Sequence, residues 1–117
     1  MRLARALLTA GAILLFATAA FHASGGAMVA DWLPGARGAV LTLLWNVPVV
    51  DWSIVGLLWL FVAWRADRRF MPVVWLSAMI PIVVAVMLIA AVGLGHPGIW
   101  MLIGASALAG VGAARLP

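Results

Sequence analysis

Residues 65–92 read RADRRFMPVVWLSAMIPIVVAVMLIAAV, and this stretch decides the fold class. Its first five positions hold three arginines and an aspartate, whereas no charged residue occurs from Pro72 to Val92. A helix over residues 72–92 is about 32 Å long at 1.5 Å per residue, and the hydrocarbon core of a bilayer is about 30 Å thick. The stretch therefore predicts a transmembrane helix that begins beside a charged anchor.

Three further apolar runs are long enough to cross a bilayer in the same way. They extend over Leu3–Ala23, Ala39–Trp64 and Gly98–Ala114. Glycine, proline and serine, which favour turns, separate the runs at residues 24–26, 34–35 and 93–98. The sequence thus predicts an all-α fold, a four-transmembrane-helix bundle, in one integral membrane domain over residues 1–117. Its spans lie at about residues 3–23, 39–64, 72–92 and 98–114.

The composition excludes the other broad classes of protein. Hydrophobic residues make up 68% of the chain and charged residues 9%, against about a quarter charged in soluble domains. Disorder requires the opposite balance of charge and hydrophobicity. The absence of cysteine excludes disulfides, thiol nucleophiles and cysteine-ligated metals. The arginines are scattered at the ends of apolar runs and do not form the basic patch that binds nucleic acid. The predicted partner is therefore the lipid bilayer, and no binding to nucleic acid is expected.

The arginines predict the orientation of the bundle, because basic residues in short loops favour the cytoplasmic side. In an alternating four-span topology, Arg37 alone falls on one side. The other side collects Arg2, Arg5, Arg65, Arg68, Arg69 and Arg115. We therefore expect a multi-pass protein of the inner (plasma) membrane with both termini in the cytoplasm. The opposite side is called the outer side below.

The first run has a second interpretation, which the sequence leaves open. Arg2 and Arg5, an apolar stretch and the small residues Ala17-Thr18-Ala19 are also typical of a secretory signal. Cleavage after residue 19 would leave three spans. Tryptophans at the predicted membrane boundaries support the four-span map. They place the membrane portion of the second span at Trp45–Trp64 and residues 28–44 outside it, as an interfacial helix broken at Pro34-Gly35.

The side chains most able to bind a ligand all fall on the predicted outer side. They are His22, Asn46, Asp51 and His96. Ionisable groups inside a membrane are costly and often functional, and two histidines at one depth could ligate a haem or a metal ion. The alternative is structural. Pro48 could begin the membrane helix and place Asp51 in its first turn, and His96 before Pro97 is a common way to start a helix.

Two stripes of residues suit contacts between helices. Trp45, Trp52 and Trp59 recur every seven residues and fall on one helical face. The last span carries small residues at four-residue spacing, which let helix backbones approach closely in lipid. These small residues are Ala105, Ser106, Ala109, Gly110 and Ala113. Both stripes are expected either to pack inside the bundle or to bind a partner, a second copy included.

Gly11 in the first span, followed by Phe21-His22 near its outer end, resembles the pattern of DoxX-like four-helix membrane proteins. The resemblance covers about twenty residues and implies a four-helix membrane fold. The chain is also similar in size to the small multidrug resistance transporters, but it lacks the acidic residue that those proteins carry in their first helix.

No nucleophile–base pair, phosphate-binding loop or paired carboxylates point to an enzyme. The leading prediction is a small structural or accessory membrane protein, which acts through helix–helix contacts with itself or with a larger membrane complex. The alternative is a transporter or ligand-binding module built on His22, Asn46, Asp51 and His96. The third is a haem or metal protein that uses the two histidines.

Overall fold

The computed structural model describes residues 1–117, which form five α-helices and no strand. The helices are α1 (Arg2–Ser24), α2 (Gly26–Ala30), α3 (Gly35–Arg65), α4 (Met71–Val92) and α5 (Pro97–Ala114), and a 3-10 turn at Arg68–Phe70 precedes α4. Four segments are long and apolar enough to cross a membrane, one around each of α1, α3, α4 and α5. The predicted all-α fold is confirmed, and so are four helices long and apolar enough to cross a membrane.

The α3–α4 turn is fixed by local polar contacts. Ala66 ends α3 in the left-handed conformation, with φ 50°. The carboxylate of Asp67 then accepts the backbone N–H of Arg69 at 2.9 Å and pairs with the guanidinium of the same residue at 2.7 Å. These contacts stabilise the charged form and hold the pKa of Asp67 at about 2. The turn thus keeps its negative charge amid the arginines.

Helix α1 is the central element of the bundle, since it packs along both α3 and α5 while α4 packs mainly on α5. Its close approach to α5 depends on Gly11, where an added Cβ would lie 2.9 Å from the carbonyl oxygen of Ala105. Further along the same interface Gly112 lies against Leu8, which is fully buried. Small residues therefore bring the two backbones together, as the spacing in the last span predicts.

Two contacts bring the chain termini and the α3–α4 turn to one end of the bundle. The guanidinium of Arg5 approaches the Trp64 carbonyl at 3.5 Å, and the N–H of Arg68 donates to the Pro117 carbonyl at 3.1 Å. Six of the seven arginines belong to these segments. We call this the arginine end, and the opposite end, where His22 and His96 lie, the histidine end.

Helix α3 differs from its predicted extent. It begins at Gly35, four residues before the predicted start, and continues without a break through Pro48 to Arg65. Residues 35–44 therefore belong to α3, and the only separate helix in this loop is the five-residue α2. The loop can fold onto α3 because Gly38 lacks a side chain, and a Cβ there would collide with the carbonyl of Leu33.

Candidate functional site

The four predicted ligand-binding residues form two separate pairs. His22 lies in the last turn of α1 and His96 caps the start of α5, and both line the same two cavities at the histidine end. Asn46 and Asp51 lie on α3 and line a different groove. The structure thus joins the histidines but separates them from the carboxylate and the amide.

His22 is held in place by Trp45 through two reciprocal hydrogen bonds. The indole N–H of Trp45 donates to the His22 carbonyl at 2.8 Å, and His22 Nε2 lies 2.9 Å from the Trp45 carbonyl. The two rings stack with centroids 4.3 Å apart and planes only 8° from parallel. Trp52 meets the same imidazole edge-on at 5.3 Å. The orientation of the His22 ring is therefore fixed by α3.

His96 is positioned by the start of α5. Its Nδ1 accepts the backbone N–H of Gly98 at 3.1 Å, as a helix-capping side chain does, and Pro97 follows it as the first residue of the helix. The ring of Phe21 lies 6.1 Å from the His96 ring. His96 therefore caps α5 through Nδ1, and its Nε2 has no partner in this chain.

The two histidines adjoin a partly enclosed cavity of about 120 Å³, which lies among α1, α3, α4 and α5. A second, more open space of about 290 Å³ adjoins it and shares Phe21, His22, Trp45 and His96. The walls of the partly enclosed cavity are mostly aromatic and aliphatic. They include Phe21, Trp45, Trp52, Leu88 and Leu102. The indole N–H of Trp52, a residue 2% exposed, has no hydrogen-bond acceptor in the chain.

The hydrogen bonds of the histidines define what the cavity offers a ligand. A carbonyl oxygen only accepts, so His22 Nε2 carries the proton and Nδ1 of the neutral ring is a free acceptor. His96 Nδ1 accepts, so its Nε2 carries the proton and is a free donor. With the Trp52 N–H, the site presents one acceptor and two donors. No arginine or aspartate lines either cavity.

A haem or a metal ion fits these residues poorly. One six-membered ring fills a cavity of about 150 Å³, so cavities of about 120 and 290 Å³ are too small for a macrocycle of four pyrroles. Only His22 presents an unprotonated ring nitrogen, because His96 Nδ1 caps Gly98 and its Nε2 carries the proton. No group of three or more histidine, cysteine, aspartate or glutamate side chains is placed to hold a metal ion.

The second pair lies on the opposite, outward face of α3. The side-chain amide of Asn46 donates to the Thr42 carbonyl at 2.8 Å, one turn earlier. Asp51 is exposed, and the chain's single salt bridge joins Arg69 and Asp67, so Asp51 has no ion partner. Both side chains line a groove of about 220 Å³ together with Leu43, Val47 and Val50.

The tryptophan stripe is directed into the bundle. Trp52 and Trp59 are 2% and 0% exposed, and Trp45 is half-buried against His22. The indole N–H of Trp59 donates to the hydroxyl of Ser77 at 2.9 Å, which ties α3 to α4 where these helices have few other contacts. The sequence left two roles open for the stripe, packing inside the bundle and binding a partner. The burial of Trp59 is explained by packing inside the bundle.

The small residues of α5 also pack mostly inside the bundle. Ala105, Ala109 and Ala113 are fully buried, and the first two lie against Gly11 of α1. Ser106 is buried with an unpaired hydroxyl. At Gly110 an added Cβ would meet nothing within 4 Å, although the carbonyl of this residue accepts the indole N–H of Trp75. The sequence did not predict a role for Ser77, the partner of Trp59. An isolated polar residue in an apolar span can indicate a hydrogen bond to another helix.

Comparison with protein-family models, with curated proteins and with solved structures gave no match to this chain. The likeness to the DoxX-like proteins therefore rests on Gly11 and Phe21-His22 alone. The structure assigns these residues physical roles, since Gly11 allows α1 to approach α5, and Phe21 and His22 line the cavities. Conclusions about function must come from the site itself.

Proposed function

We propose that this chain is a small multi-pass membrane protein that binds a compact neutral ligand in the cavity at the histidine end. The observation that carries the proposal is a partly enclosed aromatic cavity lined by three rings, His22, His96 and Trp52, each with an unpaired nitrogen. Of the three nitrogens only that of Trp52 is buried, and leaving a buried polar group without a partner costs about 1–3 kcal/mol. A ligand that accepts from the Trp52 N–H recovers that free energy, and the two histidines offer it further hydrogen bonds.

The size and chemistry of the cavity indicate the class of ligand. A cavity of about 150 Å³ admits one benzene ring, and the space of about 120 Å³ here continues into the adjoining space of about 290 Å³, so the two together can hold a single substituted ring. The absence of charged lining residues favours a neutral molecule. A phenolic hydroxyl has one donor and two lone pairs, so it could donate to His22 Nδ1 and accept from His96 Nε2 and from the Trp52 N–H. A hydroxylated aromatic ring therefore fits both the walls and the hydrogen-bonding groups.

Loss of one of these groups should weaken binding without disturbing the fold. The Trp52→Phe variant removes the indole N–H but keeps a ring, and His96→Asn removes the free ring nitrogen while an asparagine oxygen can still cap Gly98. We expect each to weaken the binding of 4-fluorophenol about five- to tenfold, the effect of one hydrogen bond. Ligand-detected fluorine NMR on the detergent-solubilised protein measures it.

Fluorobenzene and the Trp64→Phe variant provide the controls. Fluorobenzene enters detergent and apolar cavities but forms no such hydrogen bonds, so its binding should be equal in all variants. Trp64 lies at the arginine end, is 72% exposed and has no hydrogen bond through its indole N–H. Saturable 4-fluorophenol binding that is unchanged in Trp52→Phe and His96→Asn, or no saturable binding at all, would contradict the proposal.

The structural or accessory role predicted from the sequence is the second candidate function. Trp52, Trp59 and most of the small α5 residues are buried within this chain, so a partner would have to contact another surface. The exposed, unpaired carboxylate of Asp51 on the outward face of α3 supports such contacts. Copurification of a stoichiometric partner in mild detergent would support this role, and a monomer without partners would contradict it.

We further propose that the arginine end faces the cytoplasm and that the histidine cavity faces outward in the inner (plasma) membrane. Six arginines at one end against Arg37 at the other support this orientation. Topology reporters fused separately to each terminus test it. Both fusions should be active only as cytoplasmic reporters, and opposite locations of the two termini would overturn the proposal.

A further inference from the structure

The outward face of α3 carries a continuous apolar seam that no other helix of this chain covers. Its residues are spaced alternately by three and four, the repeat that keeps one helix face against another in a left-handed pair. One row of the seam comprises Val40, Val47, Ile54 and Phe61. The other row comprises Leu43, Val50, Leu57 and Trp64. All eight side chains are between 44% and 72% exposed.

The two rows differ in shape in a way that favours a particular partner. In heptad notation the first row occupies the a positions, of which three of four are β-branched, and the second row occupies the d positions, with two leucines. β-Branched residues at a with leucine at d favour parallel two-stranded packing. A second α3 helix therefore suits this face.

Apolar residues are expected on any helix that faces lipid, but Asn46 and Asp51 beside the seam are not. Asp51 lies 14 residues before Arg65, about 21 Å along the helix from the arginine end and thus within the apolar layer. Charged and amide groups are costly there without a partner, and acyl chains offer no hydrogen bonds. Within the chain no salt bridge satisfies Asp51. A donor from outside the chain would satisfy this carboxylate.

We infer that two copies of this chain pair through parallel α3 helices, with Asn46 of each copy donating to Asp51 of the other. Asn46 occupies a g position and Asp51 the e position of the next heptad, five residues on. Side chains at these positions meet across a parallel pair. Copies inserted with the same topology are necessarily parallel, and two-fold symmetry forms both hydrogen bonds at once.

The local geometry leaves the required groups free. One N–H of the Asn46 amide donates to the Thr42 carbonyl, and the second N–H remains available. The groove of about 220 Å³ beside both polar residues gives space for a side chain of the second helix. The larger apolar groove on α4 lacks this complementarity, because its one polar residue, Ser77, already bonds Trp59 and the Val74 carbonyl.

Cysteine cross-linking tests the pairing directly, since the natural chain has no cysteine. Val50→Cys places a thiol at a d position of the seam, and Val86→Cys is a matched control at similar depth on the exposed face of α4. Oxidation of native membranes should convert Val50→Cys into a disulfide-linked dimer at least fivefold more than Val86→Cys. Equal cross-linking, or a product with the mass of a different protein, would overturn the inference.

An exchange of the two polar residues tests the register in the Val50→Cys background. Asn46→Asp alone places two carboxylates opposite each other, so dimer yield should fall at least fivefold. Asn46→Asp combined with Asp51→Asn restores one amide opposite each carboxylate and should recover the yield. Both residues lie on the outward face, and monodisperse elution in detergent checks that the variants fold. An unchanged yield in Asn46→Asp, or no recovery in the double variant, would contradict the proposed register.

Discussion

Substitution of Gly11 by leucine is expected to have a large destabilising effect, because it separates the two helices that form the centre of the bundle. Even a single Cβ at this position would lie 2.9 Å from the Ala105 carbonyl and 3.1 Å from the Ala109 backbone nitrogen. Backbone atoms cannot move aside as a flexible side chain can. Overpacking costs about 1–3 kcal/mol, so we expect Gly11→Ala to fall in this range and Gly11→Leu to exceed it.

Gly110→Ala is the matched control for that prediction. It also lies in a membrane-crossing helix, but its added Cβ meets no atom within 4 Å. Alanine has the higher helix propensity by about 1 kcal/mol, so this variant should be as stable as the parent or more so. Thermal unfolding in detergent, followed by loss of the monodisperse elution peak, measures all three variants. Equal midpoints for Gly11→Leu and Gly110→Ala would show that α1 and α5 do not approach as described.

Replacement of Trp59 by alanine is the second substitution with a large expected effect. Trp59 is fully buried where α3 approaches α4, and its indole N–H donates to Ser77 at 2.9 Å. Truncation of a buried aromatic residue to alanine typically lowers the free energy of unfolding by about 3–5 kcal/mol. The same change at Trp64, which is 72% exposed on the same helix, should cost far less.

The hydrogen bond can be separated from the packing of the ring. Trp59→Phe retains most of the packing, whereas Ser77→Ala leaves the indole N–H unpaired in an apolar interface. Hydrogen bonds between membrane helices contribute about 0.6 kcal/mol on average, so each change should cost about 0.5–1.5 kcal/mol. A double-mutant cycle of thermal unfolding measures the coupling. Complete additivity of the two changes would show that the Trp59–Ser77 bond contributes nothing.

The histidine cavity and the α3 seam place two different kinds of interaction on one small chain. The cavity lies inside the bundle, and its polar groups come from α1, α3 and the start of α5. The seam lies on the side of α3 that faces away from α1. Because they share no residue, ligand binding and pairing of two copies can be tested and can fail independently.

The sequence by itself predicted the all-helical fold and the four helices that are long and apolar enough to cross a membrane. The sequence has runs of about twenty apolar residues with charges mainly at their ends. A segment in lipid must satisfy its own backbone polar groups, and an α-helix does so, which is why these runs predict transmembrane helices. The same local physics assigned His96 to a helix start, since a capping side chain before proline depends only on neighbouring residues. The small residues of α5 likewise indicated a close helix contact.

Only the tertiary structure decided which polar groups share a site. The sequence placed His22, Asn46, Asp51 and His96 at one level, but a common depth does not fix the direction in which each side chain points. The rotation of α3 about its axis is set by packing of its tryptophans against α1 and α4. That rotation directs Trp52 to the histidines and Asp51 away from them. Long-range packing sets helix rotation, so hydrophobic spacing along a nearly uniformly apolar helix could not predict it.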